Sequence, residues 1–92
     1  MKYDIVYTHG YVKRAAKFIR KHPELMSQYE KTLRLLELDP FHPVLRTHKL
    51  KGNLSDLYSV SINIGYRIAI DLIMEKRSII PVDVGSHDEV YG

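Results

Sequence analysis

The first half of the chain contains two stretches whose apolar residues recur at helical spacing. The first stretch follows Thr8, a residue type that caps helices, and comprises Val12, Ala15, Ala16 and Ile19. The second comprises Leu25, Tyr29, Leu33 and Leu36. Pro23 suits the first turn of this second helix, and Asp39-Pro40 is expected to end it. Because few residues separate the two stretches, we expect an antiparallel pair of helices.

In the second half the apolar period changes from helical spacing to two. The apolar positions of three successive segments are all even-numbered: Tyr58, Val60 and Ile62, then Tyr66, Ile68, Ile70 and Leu72, then Ile80, Val82 and Val84. Such alternation is typical of antiparallel strands with one packed face. Residues 2–7 are a further strand candidate. The pattern predicts an α+β fold of order β-α-α-β-β-β, with the two N-terminal antiparallel helices on one face of a small antiparallel sheet.

The parity of the apolar positions also predicts how the strands pair, because a slip of one residue would turn the buried face outward. A three-residue loop ending at Gly65, expected there at positive φ, places Ser61 opposite Arg67. A similar loop over residues 76–78 places Arg67 opposite His87. We therefore expect Ser61, Arg67 and His87 to form a row on the face that the helices leave open.

Size and composition favour one small intracellular domain. The chain has 92 residues, which is enough for a single core spanning residues 1–92. It has no cysteine, so it has neither a disulfide framework nor a cysteine-type zinc site. The apolar runs are too short for a membrane span, and the N-terminus lacks the apolar stretch of a signal peptide. We expect a cytoplasmic protein without membrane association.

The net charge of +3 is unevenly distributed along the chain. Residues 1–22 carry six Lys or Arg and one Asp, and residues 41–53 carry three bases and no acid. A basic first helix and a basic central segment favour a polyanionic partner, although a solvated helix face would give the same pattern for the helix alone.

The central basic segment contains the strongest candidate for chemistry. In His48-Lys49-Leu50-Lys51-Gly52 the leucine is expected to be buried, which turns both lysines outward. With the predicted row, these groups suit cleavage of RNA without metal or cofactor. Two histidines can act as base and acid, and Arg and Lys can stabilise the phosphorane transition state. Tyr91 could stack on a base, and Ser61 is a further candidate RNA contact.

Other chemistries have little support in the sequence. The five histidines show no i, i+4 pair and no HExxH pattern, so a metal site is not expected. No serine-hydrolase motif, P-loop or dinucleotide-binding motif is present.

Four segments of the sequence resemble the RelE/ParE superfamily of toxins, and most of all its YafQ-like branch of mRNA interferases from type II toxin–antitoxin systems. The segments are HKLKG at 48–52, LYSVSI at 57–62, GYRIAI at 65–70 and GSHDEVYG at 85–92. The resemblance covers the whole chain in element order and implies a RelE-like fold.

The resemblance further implies a ribosome-dependent endoribonuclease that cuts mRNA and stops translation. It implies a cognate antitoxin, with an acidic or amphipathic segment that wraps the toxin, and operator DNA bound only through that antitoxin. By position, His87 matches the general acid and His48 a base or a phosphate-contacting histidine. The cationic positions around the scissile phosphate match Lys49, Lys51 and Arg67, and Tyr91 matches an aromatic that contacts the mRNA.

Three points stay open at this stage. The resemblance does not single out the general base. A ParE-like toxin that inhibits DNA gyrase shares the fold without needing the two histidines, and a non-catalytic RNA- or protein-binding module on the same scaffold would need only the basic helix.

Overall fold

Two helices lie on one face of a five-stranded sheet, and a short third helix lies on the other face. The computed structural model describes residues 2–52 and 56–91. Its elements, in chain order, are β1 (Asp4–Ile5), α1 (His9–Lys21), α2 (Met26–Leu38), β2 (His48–Lys49), β3 (Tyr58–Ser61), β4 (Tyr66–Ile73), β5 (Ser78–Ser86) and α3 (His87–Tyr91). Short 3₁₀ turns at Pro23–Leu25 and Pro43–Leu45 precede α2 and β2. Among the described residues, no helix combines the length and apolar character that crossing a membrane requires.

The predicted α+β fold is confirmed, and the sheet is larger than expected. Its strands run in the order β1-β5-β4-β3-β2. The β3–β4 and β4–β5 pairings are antiparallel, as predicted, and β2 also pairs with β3 in antiparallel, whereas β1 pairs with β5 in parallel. The basic segment supplies the edge strand β2, which the sequence did not predict because two residues are too few to show a period.

Helix α1 begins as predicted, but the stripe that it buries matches the predicted one only at Ala15 and Ile19. The Thr8 hydroxyl accepts a hydrogen bond from the Tyr11 N–H at 3.2 Å and caps the helix. The buried residues are Tyr11 and Phe18, whereas Val12 of the predicted stripe is exposed. Tyr11, Ala15 and Phe18 also recur at helical spacing, and this alternative stripe prevails because its large aromatic side chains bury more apolar area.

A buried hydrogen bond joins the two long helices. The hydroxyl groups of Tyr11 in α1 and Tyr29 in α2 lie 2.8 Å apart inside the core. Burial raises the pKa of both phenols, so both stay protonated and one can donate to the other. The pair therefore satisfies polar atoms that would otherwise be buried without a partner.

The pairing of β3 with β4 follows the parity prediction, although its loop differs in detail. Val60 lies opposite Ile68, and Ser61 opposite Arg67. Gly65 does not have the expected positive φ. Among the described glycines, only Gly52 has a positive φ. The Asn63 side-chain oxygen closes the loop instead, accepting hydrogen bonds from the N–H groups of Gly65 and Tyr66, both at 2.9 Å.

The predicted pairing of β4 with β5 is wrong, because β5 contains a bulge. Ile70 lies opposite Pro81, whereas Ala69 lies opposite Asp83, so Val82 is the extra residue. Before the bulge the parity of β5 is the reverse of the predicted one, whereas after it Val84 faces the core as predicted. Ile79 is therefore fully buried in the core, whereas Ile80 and Val82, predicted to face it, are only half-buried.

The basic helix α1 stabilises this bulge. Arg14 donates hydrogen bonds to the Val82 carbonyl from Nη2 at 2.8 Å and from Nε at 3.2 Å. Its Nε also lies 3.8 Å from a carboxylate oxygen of Asp83. Part of the basic surface predicted for a polyanion is thus occupied with holding the sheet in register.

The two faces of the sheet carry separate apolar clusters. The large core lies between the sheet and the helices α1 and α2. On the opposite face Leu50, Ala69 and Val90 form a second cluster, with Leu57 and Tyr91 packed against it. Leu50 is buried, as predicted. The face expected to be open is therefore partly covered by α3 and by the segment that follows β2.

Candidate functional site

A cleft beside the edge strand β2 brings four of the sequence-predicted residues together. The cleft has a volume of about 280 Å³ and is lined by His48, Lys49, Leu50, Lys51 and Tyr91. No acidic residue lines it. Two lysines and an imidazole beside an aromatic ring form a surface that favours an anion with a planar base attached.

The two lysines of the cleft have different surroundings. The Lys49 ammonium lies 6.0 Å from the centre of the Tyr58 ring, at the outer limit of a cation–π contact. Lys51 follows the strand, and its side chain is exposed. The side chain of Lys49 is exposed as well, so both ammonium groups are accessible to a phosphate.

Tyr91 is held in the cleft by a residue that the sequence did not indicate. Its hydroxyl donates a hydrogen bond to the Ser59 hydroxyl, and Ser59 is fully buried on β3. His48 lies directly opposite Ser59 in the β2–β3 pairing, so both side chains belong to the same face of the sheet. The Tyr91–Ser59 contact thus fixes the C-terminal aromatic ring beside His48.

His87 joins this group through Tyr91. The two rings meet edge to face, with their centroids 4.1 Å apart. The His87 side chain is well exposed, and its Nδ1 lies 3.6 Å from the Asp88 carboxylate. Tyr91 therefore contacts His87 and lines the same cleft as His48, which makes it the physical link between the two candidate acid–base groups.

Arg67 lies on the same face of the sheet, in the next row of paired residues. Its Nη1 donates a hydrogen bond to Ser61, and its Nη2 lies 3.5 Å from the Ile64 carbonyl. Its Nε is buried and has no hydrogen-bond partner. Within residues 2–52 and 56–91, no carboxylate forms an ion pair with this guanidinium. A partly buried cation with donors to spare is suited to bind an anion.

The predicted row is correct for Ser61 and Arg67 and wrong for His87. Arg67 lies opposite Gly85, and β5 ends at Ser86 before His87 begins α3. The bulge and a four-residue turn at 74–77 shift the pairing by two residues from the predicted one. His87 thus reaches the site on a helix and not on a strand.

A capping box starts the helix that carries His87 and Tyr91. The Ser86 N–H donates to the Glu89 carboxylate at 2.8 Å, and the Glu89 N–H donates to the Ser86 hydroxyl at 3.2 Å. Gly85 permits the fold-back, because a Cβ there would lie 3.0 Å from Glu89. The S-x-x-E spacing at 86–89 is the sequence signal from which this helix could have been predicted.

The capping box makes the docking of α3 depend on pH. The hydrogen bonds from Ser86 lower the pKa of Glu89 below its usual value of 4.5. The carboxylate therefore contributes stability above its ordinary pKa, and this contribution is lost as the pH falls through the lowered value. We expect Glu89→Ala to speed amide hydrogen exchange in α3 by roughly 2- to 30-fold at pH 6, the range for a lost helix cap. Wild type and variant should converge once the pH has fallen below the lowered pKa of Glu89.

Asp88→Ala is the matched control, because the Asp88 carboxylate is fully exposed and takes no part in the capping box. Exchange in α3 that is equally fast in both variants at pH 6 would contradict the role of Glu89.

The described ranges contain no cluster of three or more histidine, cysteine or acidic side chains placed to hold a metal ion. The groups that converge on the cleft are thus imidazoles, cations and an aromatic ring. These groups can move protons and stabilise negative charge.

Comparisons with known proteins give matches at the level of structure. No protein-family model matches the sequence, and a search of curated protein sequences finds no match. Among solved structures, YafQ from E. coli strain BL21(DE3) superposes with a TM-score of 0.79 over 99% of this chain and 100% of that one, at 17% identity. The chain has the same fold as YafQ.

Two further structures share the YafQ-like fold. A chain of the E. coli DinJ-YafQ toxin-antitoxin complex gives a TM-score of 0.77 at 19% identity, with 100% of both chains covered. The YoeB/ParE toxin from Agrobacterium tumefaciens gives 0.72 at 15% identity, over 91% of this chain and 98% of that one. The fold predicted from the residues and from the resemblance is therefore confirmed.

Proposed function

We propose that this protein is the toxin of a type II toxin–antitoxin system and that it cuts mRNA on the ribosome, in the cytoplasm. The observation that carries the proposal is the acid-free cleft in which His48, Lys49 and Lys51 meet Tyr91, with His87 in edge-to-face contact with the same ring. The YafQ-like fold supports the proposal independently.

The groups in the cleft suit attack of a ribose 2′-hydroxyl on the adjacent phosphorus. A base removes the hydroxyl proton, the P–O2′ bond forms, the P–O5′ bond breaks, and an acid gives a proton to O5′. The products are a 2′,3′-cyclic phosphate and a 5′-hydroxyl. We assign His87 as the acid and place His48 at the attacking side, while Arg67 and Lys51 stabilise the added charge of the phosphorane. Tyr91 stacks on a base, and the buried Ser61 acts only through Arg67, which it holds by a hydrogen bond.

Dependence on the ribosome is expected because this surface can make few contacts with the RNA substrate. The cleft is small and is lined by only five residues. Correct orientation of the reacting atoms contributes a large part of the rate enhancement in such reactions. A cleft with so few contacts needs another molecule to provide that orientation. The ribosome holds mRNA in one conformation and can supply it.

The test is translation in a cell-free extract, followed by mapping of mRNA ends. We expect new 5′-hydroxyl ends within the reading frame when ribosomes are present, and at least about 100-fold slower cleavage of the same free mRNA. A DNA gyrase supercoiling assay with the same preparation tests the ParE-like alternative. Gyrase inhibition with intact mRNA would overturn the nuclease proposal, and binding of RNA without either effect would favour the non-catalytic module.

The antitoxin is expected to bind the helical side of the molecule. An apolar groove of about 350 Å³ lies between α1 and α2, lined by Ala15, Ala16, Ile19, Arg20, Met26 and Tyr29. Helix α1 has five basic residues and no acidic one. An amphipathic helix with acidic flanks matches both the groove and the charge around it. The DinJ-YafQ complex supports a partner of the antitoxin class.

Binding of this partner should depend on salt and on the groove. With the acidic product of the neighbouring reading frame as ligand, we expect weaker binding at higher salt, because the charges around the groove are exposed. Met26→Asp should weaken binding at least about 10-fold, since it places a charge in a desolvated contact. Met74→Asp in the β4–β5 turn is the matched control, because Met74 is similarly exposed. Equal effects of the two substitutions, or binding insensitive to salt, would contradict this location.

A further inference from the structure

The backbone of Arg46 adopts a conformation that non-glycine residues rarely occupy. Its φ and ψ are 50° and 40°, in the left-handed region. Among the described non-glycine residues, Arg77 alone shares a positive φ, and it lies in the tight β4–β5 turn. Arg46 follows a 3₁₀ turn and lies two residues before His48. A strained residue so close to a candidate catalytic group points to a use for the strain.

The left-handed turn directs the Arg46 carbonyl at the imidazole of His48. The carbonyl oxygen lies 2.9 Å from His48 Nδ1. A carbonyl oxygen can only accept a hydrogen bond, so Nδ1 must carry the proton. In the neutral imidazole the lone pair then resides on Nε2, and Nε2 is the atom free to accept a proton.

We propose that Arg46 is a positioning residue that selects the Nδ1–H tautomer of His48 and so makes His48 Nε2 the general base. This inference rests on the proposed nuclease function and supplies the base that the sequence left open. In the cleavage step the proton of the 2′-hydroxyl passes to Nε2, while His87 gives its proton to the departing O5′. The backbone carbonyl of Arg46 acts through His48 and does not touch the substrate.

His42 shows that the chain sets the two tautomers separately. The His42 Nδ1 accepts a hydrogen bond from the Val44 N–H at 3.1 Å, which requires an unprotonated Nδ1. The proton of neutral His42 is therefore on Nε2, the reverse of His48. His42 and His48, six positions apart in the chain, are thus held in opposite tautomers. His42 therefore serves as an internal reference.

The first test reads the tautomer directly. In long-range ¹H–¹⁵N spectra of the ¹⁵N-labelled full chain, at a pH where both imidazoles are neutral, we expect His48 to be protonated at Nδ1 and His42 at Nε2. A His48 ring protonated at Nε2, or one that exchanges between both forms while His42 does not, would overturn the proposal. This measurement needs no activity, so it stands even if the chain cuts no mRNA.

The second test separates the backbone of Arg46 from its charge. Arg46→Gly and Arg46→Val both remove the guanidinium, but glycine adopts the left-handed conformation freely and the β-branched valine strongly resists it. We expect Arg46→Gly to keep the Nδ1–H tautomer and kcat within about 2-fold of wild type, as expected where glycine meets no backbone penalty. We expect Arg46→Val to lose the tautomer and about 10- to 100-fold in kcat, the range for a lost partner behind a functional histidine.

The outcomes of the two variants are distinguishable. Equal loss of kcat in both would assign the effect to the guanidinium, and unchanged kcat in both would show that the tautomer does not matter. Either result overturns the role of the backbone. Wild-type protein that cuts no mRNA would refute the nuclease function and leave the tautomer finding intact.

Discussion

Replacing His48 with alanine is expected to slow ribosome-dependent mRNA cleavage by roughly 100- to 10,000-fold, the range for loss of a general base or acid. The reason is that His48 lines the cleft beside Tyr91 and presents an imidazole with its Nδ1 already bonded to a carbonyl. His87→Ala should produce a loss of similar size. Because base and acid act in one step, the double variant should lose less than the product of the two single effects. The measurement is the single-turnover cleavage rate on programmed ribosomes.

His9→Ala is the matched control for this experiment. His9 is an exposed histidine at the start of α1 and is not among the residues that line the cleft. We expect its removal to leave the cleavage rate within about 2-fold, as for surface substitutions in general. Wild-type rates for His48→Ala would rule out the cleft as the catalytic site.

The second large effect is expected at Arg67. Arg67→Ala should reduce the cleavage rate by roughly 100- to 1,000-fold, the range for removing one group that stabilises charge in a transition state. The guanidinium is held by Ser61 and the Ile64 carbonyl, and it has no carboxylate partner in the described ranges. Because its planar fork makes several hydrogen bonds at once, Arg67→Lys should restore little of the rate.

Thermal unfolding of the same variants separates catalysis from folding. Arg34→Ala, which removes an exposed arginine of α2, is the matched control and should change neither the rate nor the melting temperature appreciably. An Arg67→Lys variant as active as wild type would show that only a positive charge is needed. A rate loss in Arg67→Ala no larger than in Arg34→Ala would remove Arg67 from the site.

The sequence predicted those features that depend on neighbours along the chain. The Thr8 cap, the positions of both long helices and the pairing of β3 with β4 follow from capping chemistry, from periodicity and from a short loop. The central basic segment was singled out from the sequence as a candidate site, and the structure places its His48, Lys49 and Lys51 along the cleft.

The errors arose where distant residues compete. In β5 the side chains before Val82 face the opposite side from the predicted one, and the bulge at Val82 returns the later residues to the predicted face. Arg14, from the other end of the chain, donates a hydrogen bond to the Val82 carbonyl. No local pattern reveals that contact. The stripe on α1 was misassigned because two apolar stripes overlap, and only packing against the sheet decides which one is buried.

The amino-acid sequence by itself determined the α+β fold, the order of its two long helices and three long strands, and the residue types available for acid–base chemistry, because these depend on local hydrogen bonding and on the burial of apolar stripes. The tertiary structure alone decided how the site is assembled. It folds α3 back through Ser86 and Glu89, anchors Tyr91 on Ser59, and turns the Arg46 carbonyl toward His48. Each of these contacts depends on where separate parts of the backbone come to lie once the apolar clusters have packed.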